Sequence, residues 1–455
     1  MRSARPAEQV FSPLDEELAL VPGTFTPTFV ESMVRVGTQI PFARAATGLL
    51  AHFTTVDVSE ATVRRATERA GEAYVAVQTA EVVQLEHDLP PAPLGPRLQL
   101  LSVDGAMVPL LHKEWAEVKT LAVGTVGVPV WRNGEWEVPT GELSYFSRLA
   151  ESESFARWAT GETHRRGVET AGTVCAVNDG AEWEQKFVDL HRPDAVRILD
   201  WGHAAEYVVA AGQAVFGVGT PATTQWLEVQ LDELRHGDPQ TVLGKLRGLR
   251  DELAVQVGDE SVVLKTVEGS LRYLEKRQDQ IHYAVFSAAG YPIGSGAVES
   301  ANKLVVEARL KGAGMHWARE HVDGMVALRD AACSDRWEEA WPQISEQWRR
   351  TAKERTAARR CAQRADQMAR VAVSAPDEGG LEPVRAAPVP ATPPEMPPAV
   401  ATDGRRATCP QAGVARVTEE LAVAPHRPAA DHPWRRMRIG RARRMAPPLL
   451  PGAES

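Results

Sequence analysis

Three carboxylates stand where their type and position could do chemistry. Asp104 closes the apolar run Leu98 to Val103 and is followed by Gly105. Asp179 closes a second run, Gly172 to Val177, and is followed by Gly180. Glu299 comes just after the glycine-rich turn Gly294-Ser295-Gly296, in the first turns of a helix. Carboxylates at strand ends can converge at one edge of a sheet, where a helix can add a third. Hard divalent cations such as Mg2+ (or Mn2+) prefer oxygen ligands of this kind. Two such ions, about 4 Å apart, activate a water or hydroxyl and stabilise the departing oxygen in phosphodiester chemistry. Singly, each residue has a plainer role. Asp-Gly after a strand suits a turn, a glutamate in a first helical turn suits the helix dipole, and Glu307 rivals Glu299 on spacing alone. The three together, with a helical stretch between the second and third, favour metal-assisted chemistry.

Positioning these acids requires strands first and helices later. After the stiff linker Pro90-Pro91-Ala92-Pro93 and Gly95-Pro96, the hydrophobic period changes from about 3.6 to about 2. Leu98 to Val103 is a short strand, with Met107 to Leu111 and Val118 to Val126 as its neighbours. Tyr145 to Arg166 has helical spacing, Gly172 to Val177 is a buried-type strand, and Ala195 to Leu199 is another, ending at Asp200. From His203 to His282 strand signals vanish, and amphipathic helices are expected near 203–216, 222–235, 239–256 and 261–279. A long helix then carries Glu299, Lys303, Glu307 and Lys311, and helix continues to about Met368. This order specifies a mixed α/β layer fold.

Ahead of the strands, Pro41 to Phe53 is an apolar helix and Thr54 to Val58 breaks it. Ser59 is a good N-cap for a basic helix through Arg64, Arg65 and Arg69. Helix, short break, basic helix is the outline of a helix-turn-helix, with Arg64 and Arg65 as DNA contacts; an ordinary helical hairpin with a charged outer face has the same outline.

The chain has 455 residues, 44% hydrophobic and 24% charged, which suits two to four domains with a sizeable core and excludes a wholly disordered or fibrous protein. No stretch approaches the roughly 20 apolar residues of a membrane span, and the start lacks the apolar run of a secretory signal, so a cytoplasmic location and no membrane partner are expected. Cys175, Cys333, Cys361 and Cys409 form no close pair, which argues for isolated thiols over a zinc site or disulfides. The net charge of −9 is uneven. From Arg349 onward there are 19 Lys+Arg against 11 Asp+Glu, leaving 32 against 49 in residues 1–348. Any positive surface on so acidic a body must be local.

The ordered set of motifs resembles a known family. Val103-Asp104-Gly105, Val177-Asn178-Asp179-Gly180-Ala181-Glu182-Trp183, Leu199-Asp200-Trp201-Gly202-His203-Ala204 and Gly290-Tyr291-Pro292-Ile293-Gly294-Ser295-Gly296-Ala297-Val298-Glu299-Ser300 are similar to segments of the bacterial DDE transposases of the ISKra insertion-sequence family, grouped with the Mutator-like enzymes. Arg309 to Trp317 and the early Ser12-Pro13-Leu14-Asp15-Glu16-Glu17-Leu18 extend the resemblance over roughly residues 12–345. It implies an RNase H-like fold with a helical insertion between the second and third catalytic acids. Asp104, Asp179 and Glu299 would be the catalytic and metal-binding residues for two Mg2+ (or Mn2+) ions. Asp200 and His203 match a supporting Asp-x-x-His signature. An alternative alignment makes Asp200 the second ligand and Asp179 a turn residue.

On this resemblance the domains are a helical, helix-turn-helix-like DNA-binding region at 1–95, an RNase H-like catalytic domain at 97–345 with its insertion at about 204–288, a helical extension at 346–370, and a disordered Pro/Arg-rich tail at 371–455 holding 15 of the 32 prolines. The implied activity is DNA transposition: cleavage at element ends, then attack of the freed 3′ hydroxyl on target DNA, by a homodimer or higher oligomer assembled on DNA. Lys303, Arg309 and Lys311 are candidate phosphate contacts, and Trp317 a candidate stacking residue. Family members often start with a cysteine-paired zinc-binding segment ahead of Pro13-Leu14-Asp15-Glu16; none precedes it here, which implies a shortened or diverged start. Two other functions fit the residues: a non-catalytic DNA-binding regulator or degenerate remnant, and a metal-dependent nuclease without strand transfer.

Overall fold

Residues 25–132, 135–257 and 261–373 are described by a computed structural model of the chain. The N-terminal segment before Phe25, including the Ser12–Leu18 motif, and the tail from Ser374, including Cys409, lie outside the described residues. Three helices come first: α1 (Pro27–Gln39), α2 (42–54, with a π turn at Ala45–Leu50) and α3 (Glu60–Asp88). Ser59 caps α3 as its type demands, its hydroxyl accepting from the Thr62 N–H at 3.1 Å.

The strands follow: β1 (Leu98–Pro109), β2 (Trp115–Val126), a short hairpin of β3 (Val130–Arg132) and β4 (Glu135–Glu137), and β5 (Thr140–Arg148). After α4 (Ser152–Arg165) come β6 (Thr173–Asn178), α5 (Glu182–His191) and β7 (Val196–Leu199). Five strands make one mixed sheet in the order β5-β2-β1-β6-β7. β5, β2 and β1 are antiparallel, while β6 and β7 run parallel to β1. Two expectations from the sequence are corrected here. Met107 to Pro109 continue β1 past Gly105 rather than forming a separate strand. Tyr145 to Arg148 are strand, and helix begins only at Ser152, because both faces of β5 are covered and its residues lose the alternation that would mark a strand.

Between β7 and the last third of the chain stand four consecutive helices: α6 (Trp201–Phe216), α7 (Pro221–His236), α8 (Pro239–Val257) and α9 (Val262–Glu275). Their apolar faces share one core with Leu100, Val177 and Ile198 of the sheet. A short helix α10 (Tyr283–Ala288) leads to α11 (296–310), which holds a π turn at Asn302–Glu307 and lies on the sheet through Val298, Val305 and Val306. The π turn leaves carbonyls at Leu304 and Val305 that the buried Arg329 guanidinium takes up. Two helices close the description, α12 (Arg319–Cys333) and α13 (Trp337–Val373). Residues through Arg355 belong to one unit; a second begins at Thr356, and its described residues, 356–373, are helical.

The boundary expected at residue 95 does not isolate the N-terminal helices. Val34, Leu50, Val63 and Tyr74 share a hydrophobic core with Leu328, Trp337, Trp341 and Ile344. α3 and α12 cross where two glycines meet: a Cβ on Gly71 would come within 2.6 Å of the Gly324 backbone. Among the described residues no helix is long and apolar enough to cross a membrane, and Cys175, Cys333 and Cys361 are free thiols.

Candidate active site

The parallel register brings two of the acids level. β1 pairs with β6 from Leu98 with Thr173 to Leu101 with Ala176, an offset of 75 residues, and Asp104 and Asp179 differ by the same 75. Neighbouring strands lie about 4.8 Å apart. Just before the acids the backbone ladder gives way to side chains. The Ser102 hydroxyl donates to the Val177 carbonyl, and Asn178 Oδ1 accepts from the Val103 N–H at 2.8 Å. The strands therefore part at the point where Asp104 and Asp179 leave the core, both partly exposed. β6 pairs with β7 at an offset of 21, which sets Asp200 at the same edge, one strand further out.

The helix that carries Glu299 touches this edge through Asn302. Asn302, one turn after Glu299 and buried, donates from Nδ2 to Asp104 Oδ2 at 2.8 Å, while Asp104 Oδ1 accepts from the Gly105 N–H at 2.7 Å. The Ser295 hydroxyl donates to Glu299 Oε1 at 3.3 Å. Asp200, itself buried, ties this region to the sheet. Its Oδ2 accepts from the His203 N–H and its Oδ1 from the Ser295 N–H, both at 2.7 Å, so it caps α6 and pins the turn that starts α11. His203 meets Tyr207 and Tyr273 edge-on, with ring centroids 5.5 and 5.8 Å away.

A further carboxylate lies near the two aspartates. Glu184, in the first turn of α5 and only 2% exposed, accepts from the Ala181 N–H at 2.9 Å. Burial, and then the charges of Asp179 and Asp104, hold its carboxyl well above the usual carboxylate range. That dependence on both aspartates marks the three as electrostatic neighbours. Sequence reasoning passed over Glu184. Its signal was the spacing of a capping glutamate, three residues after the residue that ends the turn.

Other candidates lie elsewhere. Arg64 and Arg65 are exposed on α3, with Arg64 3.9 Å from Glu68. Lys303 is exposed beside Asn302, and Lys311 is exposed and donates to Glu307 at 2.8 Å. Arg309 and Trp317 are not surface residues. Arg309 is 2% exposed, its guanidinium lies 4.6 Å from the Phe42 ring and 5.0 Å from the Trp317 ring, and it donates to the Gly37 carbonyl at 3.2 Å. Burial lowers its pKa to about 10. Trp317 is also buried and donates from its indole to the Leu310 carbonyl. Both join α11 to α1 and α2, so neither can reach a phosphate or a base here.

The donors at this edge suit a hard cation. They are carboxylates with an unpartnered buried amide oxygen, Asn302 Oδ1, beside Asp104. The charge that raises Glu184 is charge a divalent ion would offset. Among the described residues, however, no three His, Cys, Asp or Glu side chains stand close enough to share one ion as placed. No family model matches this chain, and no curated protein matches it.

Proposed function

We propose that the chain is a DNA transposase of RNase H-like fold, with Asp104, Asp179 and Glu299 as its acidic residues. The observation that carries this reading is the common offset of 75, with Asn302 linking the Glu299 helix to Asp104. The strand order supports the fold: three antiparallel strands, then two parallel ones on the other side of β1. Asp179 is preferred to Asp200 as the second acid because it stands level with Asp104 on the adjacent strand, whereas Asp200 lies one strand further out and caps α6. Asp104, Asp179 and Glu299 would hold Mg2+ or Mn2+, which when bound supplies an activated water and neutralises charge on the departing oxygen. The chain's own part is to aim these carboxylates. Asn302 orients Asp104 and Ser295 orients Glu299, while Lys303 offers a cation to a DNA phosphate. Cleavage at element ends and strand transfer to target DNA would use this one set of acids, with no covalent link to the protein.

A second reading, a DNA-binding remnant, is favoured by two facts. The acids do not form a ready ligand cluster, and Asp104 spends both oxygens on protein donors. Asp104→Asn separates the two. It removes a charged ligand and leaves the exposed arginines untouched, so metal-dependent cleavage of terminal-repeat DNA should be abolished while DNA binding is retained, because losing one negative charge does not weaken attraction to a polyanion. Equal cleavage by variant and wild type in magnesium would sink the catalytic reading.

A further inference from the structure

The helical insertion does more than fill the gap between the second and third acids. From its last helix, α9, and the turn after it, two side chains reach the end of β6. The Tyr273 hydroxyl donates to the Asp179 carbonyl. The Arg277 guanidinium donates twice to the Gly180 carbonyl, from Nε at 2.9 Å and also from Nη2. Gly180 has φ +83°, a conformation that strains any residue with a Cβ, and a Cβ there would also meet Arg277 Nε at 2.5 Å. The Asp179–Ala181 turn is thus held from both sides: its carbonyls by Tyr273 and Arg277, the Ala181 N–H by Glu184.

These two side chains are themselves fixed. The guanidinium carbon of Arg277 lies 3.7 Å from the Tyr273 ring centroid, a cation–π contact. On the same ring Tyr207 stacks at 3.8 Å with an interplanar angle of 11°. His203 closes the stack edge-on, and Lys276 pairs with Glu182 at 2.5 Å just beyond the turn. A carboxylate that must meet a ligand at a defined point needs its backbone fixed first, since the direction of the Cα–Cβ bond follows the peptide planes on either side.

We infer that Tyr273 and Arg277 are positioning residues for Asp179, so that the insertion sets the aim of the second acid. This rests on the function proposed above. Partners in the outer shell of a metal site typically change metal affinity or activity by about 10–100-fold when removed.

The test uses Tyr273→Phe, which keeps the ring stack and removes the hydroxyl, with its bonds to the Asp179 carbonyl and to Tyr207, in the full chain. Two readouts are taken beside the cleavage assay: amide hydrogen exchange of the peptide spanning 178–186, and Mn2+ titration followed by the spectrum of the free ion. Exchange of that peptide should quicken with β1 and β2 unchanged. Mn2+ affinity should fall about ten-fold, and the turnover number should fall with it while KM for DNA holds. Arg277→Met should act in the same direction, and Arg277→Lys should restore part of the loss. Wild-type exchange and Mn2+ affinity in Tyr273→Phe would overturn the inference. A wild-type chain that neither binds Mn2+ nor cleaves would instead overturn the functional reading beneath it, and the inference with it.

Discussion

Glu184 is the residue whose chemistry the sequence hides most. Read alone it is a capping glutamate on an exposed helix start; in the fold it is buried beside two aspartates. Its folded pKa lies above its unfolded value. Its contribution to stability is therefore fully present below the usual glutamate pKa, and is lost as pH rises toward the folded value. Glu184→Gln keeps an oxygen for the Ala181 N–H and has no proton to lose. The melting temperature of the variant should match wild type near pH 4 and exceed it increasingly toward pH 8. A difference that stays constant with pH would show that Glu184 is not held protonated. Asp104, Asp179 and Glu299 stood out as candidates because each follows a segment of clear period or a glycine-rich turn, although Asp104 lies within β1 rather than at its end. Glu184 and Asn302 did not, since only tertiary contact distinguishes them from ordinary helix residues. Arg309 failed for the converse reason: a cation in a basic block reads as surface, yet two aromatic rings enclose it.

Elements, like residues, were misread where neighbours override the local pattern. The segment at 140–148 became an edge strand because α12 covers it with polar side chains. Ser334 Oγ accepts from the Tyr145 N–H at 3.0 Å, Asp330 from the Ser147 N–H at 2.6 Å, and Asp323 from the Leu149 N–H at 2.7 Å. Alternate N–H groups that would otherwise invite another strand are thus satisfied. The insertion helices, by contrast, were legible nearly to their ends, because glycines, Thr220-Pro221 and a regular 3.6 period mark them. Asp330 is fully buried near Arg148, and burial pushes its pKa up to about 7. Because that value is raised, the stability it contributes is lost as pH climbs from about 4 through about 7. Wild type should accordingly lose stability over that window relative to Asp330→Asn, in urea titrations at pH 5 and 8. Asp330→Ala, which leaves the buried Ser147 N–H and hydroxyl without their acceptor, should cost about 1–3 kcal/mol at pH 5. A cost under about 1 kcal/mol, the size of one ordinary hydrogen bond, would show that the helix does not hold this strand.

At the scale of the whole molecule, the charge pattern limits where DNA, the partner proposed above, would lie. Residues 1–348 hold 32 basic against 49 acidic residues, so general attraction to a polyanion is absent and contact must come from local basic surface. The α3 face carries Arg64, Arg65 and Arg69, all exposed, while Val63, Ala66, Ala70 and Tyr74 on its other side are buried with α12 and α13. Shared packing with the C-terminal helices, invisible in a sequence boundary drawn at residue 95, makes this basic helix part of the same packed unit as the acids. Each phosphate neutralised on duplex DNA adds about 0.9 to the slope of log K against log salt. Changing Arg64, Arg65 and Arg69 together to Gln should reduce that slope by up to about 3 on unrelated duplex DNA, and weaken binding most at low salt. The melting temperature should hold, because Arg64 makes only a 3.9 Å surface pair with Glu68, of the kind that contributes about 0–1 kcal/mol. Mn2+ affinity should also hold, since the acids lie on other elements. If the slope is unchanged while the protein stays folded, DNA does not run along α3. The exposed lysines on and just after α11, Lys303 and Lys311, then become the surface to mutate.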